Sequence, residues 1–244
     1  QMLLLMRHVA EAGSFDAQAF GRQWKEAMGA YAGYVDGATR QTLANLGRGL
    51  PAAQAGSLSD DLSGAARLAP LLAVYADRPD DLVRAAREQA MLTHASPLVA
   101  AAAGVLARAC VLALGGEDAA SALTRAAGES GDPAAADLIR RGLDAGDMDS
   151  LGAVRGFGQS CAAHAGLPGA AQIVARHGGN LEEALVENVM AGGDSAARGM
   201  FIATLLGCLP GASVPARWLE ALRCRDEVLD LVGRADLRRG GGVG

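Results

Sequence analysis

The sequence predicts an all-α protein of about ten or more helices. Helix punctuation recurs from end to end, and strand-like alternation is nearly absent. Residues suited to a sheet are too few, with aromatics amounting to 4% of the 244 residues. Half of the chain is hydrophobic and rich in Ala and Gly, so helices are expected to pack closely through small side chains. A chain of this length buries a large core, and a single domain over residues 1–239 is expected.

The elements follow in order. Gln1 to Met6 reads as mid-helix without a cap, which predicts that the N-terminal part of the protein is missing from this chain. Ser14-Phe15-Asp16 precedes a periodic run through Phe20, Trp24 and Met28. Ser59-Asp60-Asp61 opens another, with Leu62, Ala66, Ala69 and Leu72 on one face. Ser96-Pro97 is a cap followed by Pro at the first helical position, and Gly115-Gly116 ends that helix. Asp132-Pro133 starts the next. Gly178-Gly179-Asn180 separates a helix around Ile173 from one beginning at Leu181. Val214-Pro215 starts a short helix containing Trp218, and Asp226 to Arg239 forms the last. The tail Gly240 to Gly244 is expected to be disordered.

Charge and cysteines narrow the function classes. A net charge of −5 and a pI near 5.4 argue against a nucleic-acid backbone as partner, which requires a basic stripe. Lys25 is the only lysine, and the arginines are interleaved with Asp and Glu as on a solvated surface. The apolar stretch Pro97 to Leu114 is broken by Arg108 and mostly Ala, which suits a buried helix better than a membrane span. Cys110, Cys161, Cys208 and Cys224 form no CxxC pair, and three lie in apolar helical runs. A reduced, cytoplasmic protein without a disulfide or zinc site is expected.

Three connections differ from ordinary helix turns. The segment Tyr31 to Arg40 packs two tyrosines, Asp36 and two glycines into one turn. It reads either as a loop that approaches a small molecule or as an Asp cap with tyrosines anchored in the core. In Gln54 to Arg67, Ser59, Asp60 and Asp61 offer oxygens at a helix start, where acids ordinarily complement the macrodipole. The third is Gly192-Gly193-Asp194, which places a carboxylate where helix N–H groups converge.

Six segments in order resemble the ADP-ribosylglycohydrolase family. Gly33-Tyr34-Val35-Asp36-Gly37-Ala38-Thr39 is similar to its Gly-Tyr loop, and Arg67-Leu68-Ala69-Pro70-Leu71 to the end of its Asn-Gly-Ala-Ala-Met-Arg-x-x-Pro segment. Leu92-Thr93-His94-Ala95-Ser96-Pro97 is similar to its Thr-His helix start. Leu181-Glu182-Glu183-Ala184-Leu185 followed by Gly192-Gly193-Asp194 resembles the approach to its second metal motif, Gly-Gly-Asp-Thr-Asp-Thr. Pro215-Ala216-Arg217-Trp218 resembles its closing Pro-x-x-Trp, and Leu3 to Gly13 the helix after its first acidic motif. The resemblance implies a multi-helix bundle with a central cleft holding two Mg²⁺ ions between the two acidic motifs.

The chain departs from that pattern. Asp194 and Ser195 match the first Asp-Thr, whereas Ala196 and Ala197 replace the second Asp and Thr. Leu62 stands at the family's Asn in an ungapped match, and Ser63 with a one-residue gap. The first acidic motif would precede Gln1. Arg198 brings a guanidinium that either faces a substrate phosphate, pairs with Asp194 in the vacated site, or forms an ordinary i,i+4 pair. The resemblance therefore implies at most one Mg²⁺, with Asp194 and Ser195 as metal ligands. Asp36, Gly37, Thr39, Ser63 and Arg198 are the implied substrate-binding residues, and no catalytic residue is assigned. The partner implied is small-molecule or protein-linked ADP-ribose, and the activity a Mg-dependent hydrolysis of an ADP-ribosyl or related N/O-ribosyl bond. The alternative is a catalytically degenerate member that binds such a ligand or serves a structural role. His8, His94, His164 and His177 form no spaced cluster; His164 is nearest the expected cleft, with a core histidine the default reading.

Overall fold

A computed structural model describes residues 1–240. Those residues form helices α1 (Met2–Ala12), α2 (Ala17–Gly29), α3 (Gly37–Gly47), α4 (Ser63–Ala66), α5 (Ala69–Tyr75), α6 (Pro79–Met91), α7 (Pro97–Leu114) and α8 (Ala119–Glu129). Then follow α9 (Pro133–Asp144), α10 (Ser150–Phe157), α11 (Ala163–His177), α12 (Leu181–Met190), α13 (Ser195–Leu206), α14 (Ala216–Ala221) and α15 (Arg225–Gly240). The described residues contain no sheet, only two isolated bridges, Ser57 with His94 and Asp61 with Ala162. Gly240 is the last residue of α15, and the rest of the expected disordered tail, 241–244, lies outside the described residues.

The caps read from sequence fix the helix starts. Asp16 accepts from Ala19 N at 2.6 Å, Asp132 from Ala135 N at 2.9 Å and Asn180 from Glu183 N at 3.1 Å. Ser96 caps α7, with Pro97 at its first position, where a missing N–H costs nothing.

Helix α7 is the axis of the molecule. Its Val99, Val105, Leu106 and Cys110, together with a run of alanines, are buried among α4, α6, α8 and α13. By length and composition α7 could cross a membrane, but 61% of it is buried here as the core helix. One hydrophobic cluster runs from Leu5 through Trp24, Leu71, Leu123 and Phe201 to Ala235, so the last helix closes on the first. Arg7 Nε donates to Glu227 Oε1 at 2.6 Å across that closure.

Two expectations are corrected. The run after Ser59-Asp60-Asp61 is not one helix but α4 and α5, interrupted at Arg67 and Leu68; Leu62 and Ala66 are buried, while Ala69 and Leu72 are half-buried. The break turns the Arg67 side chain inward, so Arg67 is among the buried residues. The tyrosines beside Asp36 are not core anchors either. Tyr31 is 55% and Tyr34 86% exposed, because the loop joining α2 to α3 has no element packed over it.

Candidate metal and ligand site

Three separate segments meet at one face. The loop before α4 is held first at Ser57, which donates N–H to Thr93 O at 3.0 Å and accepts from Ala95 N at 2.6 Å. It is held again further on: Leu62 N donates to Cys161 O at 2.9 Å and Ala163 N to Asp60 O at 2.7 Å. The Gly-Gly-Asp turn joins the loop between α10 and α11 that carries Cys161, with Asp194 N donating to Gln159 O at 3.0 Å and Gln159 Nε2 to Ala191 O at 2.8 Å. Gly193 has φ +67°, and a Cβ there would lie 2.4 Å from Gln159 Cβ, so only glycine permits this approach. These main-chain bonds bring one ligand atom each of Asp61, Cys161 and Asp194 within 4.8 Å of one another.

The electrostatics follow from that crowding. Asp61 Oδ1 accepts from Ser63 N at 2.8 Å, and Asp194 Oδ1 from Ala196 N at 3.2 Å at the start of the 12-residue α13. The Cys161 thiol has its pKa pushed up to about 11. Partial desolvation leads, followed by its hydrogen bond to Asp61 and the charges of Asp61 and Asp194, although one side of the residue stays open to solvent. Without a cation, the thiol therefore remains protonated at neutral pH.

Beneath α3 and α4 lies a second, sealed polar cluster. Arg67 is buried, with Nη2 donating to Thr93 Oγ1 at 2.5 Å and Nη1 to Gln1 Oε1. Burial lowers its pKa to about 10, opposed by the charges of Asp36 and Asp61. His94 Nδ1 lies 2.8 Å from Thr93 Oγ1. Burial and then the Arg67 charge lower its pKa to about 4, so its ring is neutral at pH 7. Gly64 is required for this packing, since a Cβ there would meet the His94 ring at 2.7 Å.

The residues singled out from sequence separate into open and buried positions. Asp36 is half-buried and caps α3, accepting from Thr39 N at 2.7 Å and Thr39 Oγ1 at 3.1 Å. Gly37 is exposed and borders open space. Thr39 is 1% exposed and receives Gln1 Nε2 at 3.0 Å, so its hydroxyl is committed inside the protein. Ser63 is half-buried at the start of α4, and Leu62, the ungapped match, is core. Ser195 is half-buried at the first position of α13, beside Asp194, and its carbonyl accepts from Asn188 Nδ2 at 2.8 Å.

Arg198 is placed differently from its expected positions. It is 1% exposed, and Nε donates to Asn188 Oδ1 at 2.9 Å while Nη2 donates to Asn188 O at 3.0 Å and Gly192 O at 2.8 Å. It ties the end of α12 to the turn and forms no ion pair with Asp194 among the described residues. The reason is local: oxygens at the C-terminal end of α12 and in the turn take up its Nε and Nη2 N–H groups, while Asp194 caps α13 and acts on Arg198 only through its charge. Its Nη1 is buried without a partner, and burial lowers its pKa against the charge of Asp194.

Asp61 and Cys161 are the site residues that sequence reasoning passed over. Asp61 read as a macrodipole partner, yet no long helix follows it. Cys161 follows Gly158-Gln159-Ser160, a polar stretch that sets it apart from the buried Cys110 and Cys208. His164 is not a core histidine: its side chain is 65% exposed, with Nδ1 3.5 Å from Asp60 Oδ2. Another line of polar groups, Ser150 Oγ 3.4 Å from His177 Nε2 and His177 Nδ1 3.0 Å from Glu183 Oε1, mimics a nucleophile relay. Ser150 is 3% exposed, so no substrate reaches it, and the line braces α10, α11 and α12.

The cavities described lie elsewhere. One of about 370 Å³ is lined by Gly178 to Glu182 and by turns around Pro210 and Pro215, with Glu182 its only charged group. The grouping of metal-ligating side chains makes the acid–thiol cluster the candidate site. The donors gathered here are not the all-oxygen set that the expected Mg²⁺ prefers. Mg²⁺ requires near-octahedral oxygen ligation, whereas this cluster offers two carboxylates and a thiol, with Ala196 and Ala197 supplying no donor. A single divalent cation fits.

The comparisons agree with this architecture. An uncharacterized protein of Archaeoglobus fulgidus is 30% identical over 238 residues, covering 95% of this chain and 76% of that protein. A solved structure described as an ADP-ribosylglycohydrolase-related protein complex matches with a TM-score of 0.76 at 26% identity, covering 98% of this chain and 79% of the other. The model of the ADP-ribosylglycohydrolase family matches residues 1–242, from the helix before the α2–α3 loop through the Gly-Gly-Asp turn and beyond; the chain belongs to that family.

Proposed function

We propose that the protein hydrolyses an ADP-ribosyl or related N- or O-ribosyl bond at the face where Asp61, Cys161 and Asp194 meet. The observation that carries this reading is the convergence itself. Two donors from distant segments stand beside Asp194, where Ala196 and Ala197 leave the local motif without them. In the reaction, the glycosidic C–N or C–O bond breaks, a water oxygen bonds to the anomeric carbon, and the leaving group departs with a proton. A divalent cation held by Asp61 and Asp194 would supply Lewis acidity toward ribose or phosphate oxygens.

The chain's own residues supply position. The carboxylate of Asp36 is engaged by Thr39, so it fixes the start of α3 and with it the loop carrying Tyr34. The exposed Tyr34 ring offers a flat face, and base–aromatic stacking contributes about 1–3 kcal/mol per base. Arg198 holds the turn that presents Asp194.

The competing reading, a ligand-binding member without activity, draws on Ala196 and Ala197. Release of free ADP-ribose from an ADP-ribosylated arginine or serine peptide, followed chromatographically with added divalent cations, separates the two. We expect cation-dependent release that Asp194→Asn abolishes. ADP-ribose binding by calorimetry without release under any cation would replace this reading with the binding one.

A further inference from the structure

We infer that the Asp61–Cys161–Asp194 cluster is built for one thiophilic divalent cation of the zinc class, with Cys161 as the ligand that selects it. The inference starts from the sulfur in this donor set, which Mg²⁺ does not favour, and it specifies the cation of the hydrolase reading above. Thiolate ligands favour zinc-like ions, and Mg²⁺ favours carboxylate and water oxygens. Here a sulfur stands between two carboxylates, and the neighbouring motif positions carry methyl groups.

The geometry is compatible with such a cation. Tetrahedral zinc with its usual Zn–O and Zn–S lengths places neighbouring donors roughly 3.3–3.7 Å apart. The three donors already lie within 4.8 Å of one another, on loops cross-linked by main-chain hydrogen bonds. About 1 Å of side-chain closure then completes the site. The buried Arg198 guanidinium behind the turn, its Nη1 unpartnered, sets a fixed positive charge near Asp194 and opposes a second cation.

The test is metal binding by the full chain after chelator treatment. Titration with Zn²⁺ and with Mg²⁺ separately should give one Zn²⁺ per chain, bound at least about 100-fold more tightly than Mg²⁺. Cd²⁺ should produce a thiolate charge-transfer band that Cys161→Ser removes and Cys224→Ser retains. Cys161→Ser should lose at least about tenfold in Zn²⁺ affinity while its Mg²⁺ affinity stays within about twofold. A second measurement needs no variant: stoichiometric Zn²⁺ should protect Cys161, and not Cys224, from alkylation as read by peptide mapping. Mg²⁺ bound as tightly as Zn²⁺, or an unchanged Zn²⁺ affinity in Cys161→Ser with no protection, overturns the inference. Zn²⁺ binding without ADP-ribose release supports this inference while removing the hydrolase reading. Mg²⁺-dependent release indifferent to Cys161 does the reverse.

Discussion

The sealed cluster of Arg67, Thr93 and His94 and the open cluster of Asp61, Cys161 and Asp194 meet at the loop before α4, which carries Asp61 and bonds through Ser57 to Thr93, yet they handle charge in opposite ways. In the sealed cluster a buried guanidinium is met by neutral oxygens, and burial keeps the neighbouring imidazole uncharged. In the open cluster two carboxylates face one another across a thiol, with no cationic side chain in direct contact among the described residues. Each is incomplete by the standard of the other. In the first, hydrogen bonds replace water at both terminal nitrogens of the guanidinium, while Arg67 Nε stays buried without a partner. The second has like charges gathered at a solvated face, which is unfavourable unless a cation binds. The difference separates a cluster that holds the fold from the one proposed to hold a cation.

The largest effect expected is at the sealed cluster. Arg67→Ala should destabilise the protein by about 3 kcal/mol in urea unfolding, since it leaves a cavity and strips Thr93 Oγ1 and Gln1 Oε1 of a charged donor. A loss below about 1 kcal/mol would mean that this region is not a structural bracket.

The next is a pH dependence carried by His94. Its folded pKa of about 4 lies below the ordinary 6.5, so between those values the unfolded chain binds a proton that the folded one refuses. Stability should therefore be highest above pH 6.5 and fall as pH drops toward 4, by up to about 1.4 kcal/mol per pH unit from this residue. Thermal melts across that range should show a shallower slope in His94→Gln than in the wild type. Equal slopes would remove His94 from the account.

The smallest stability effect belongs to the open cluster. Asp194→Asn keeps an oxygen to cap α13, so stability should change by less than about 0.5 kcal/mol while divalent-cation affinity falls at least about tenfold. A large stability loss with unchanged cation binding would reverse the comparison, making Asp194 the bracket.

Much of the fold is legible in the sequence because its signals are local. Asp16, Asp132 and Asn180 cap the helices they precede, and Pro97 and Pro133 stand at first helical positions. The single-helix reading of residues 62–72 failed because the apolar spacing persists across the break at Arg67, and a buried arginine carries no periodic signature. Of the site, Asp194 was legible from its Gly-Gly turn. Arg198 was legible as a charge, but its direction depends on Asn188 and the Gly192 carbonyl. Asp61 and Cys161 are separated by about a hundred residues of chain, and no spacing rule links them.

The sequence by itself determined the helical architecture, the capped helix starts and the family, since these depend on residues close together along the chain or on segments in fixed order. Tertiary structure alone decided that a carboxylate, a thiol and a second carboxylate share one face. Their proximity is set by main-chain bonds between loops, Leu62 N to Cys161 O and Asp194 N to Gln159 O, which any residue type can make and no side-chain pattern reports.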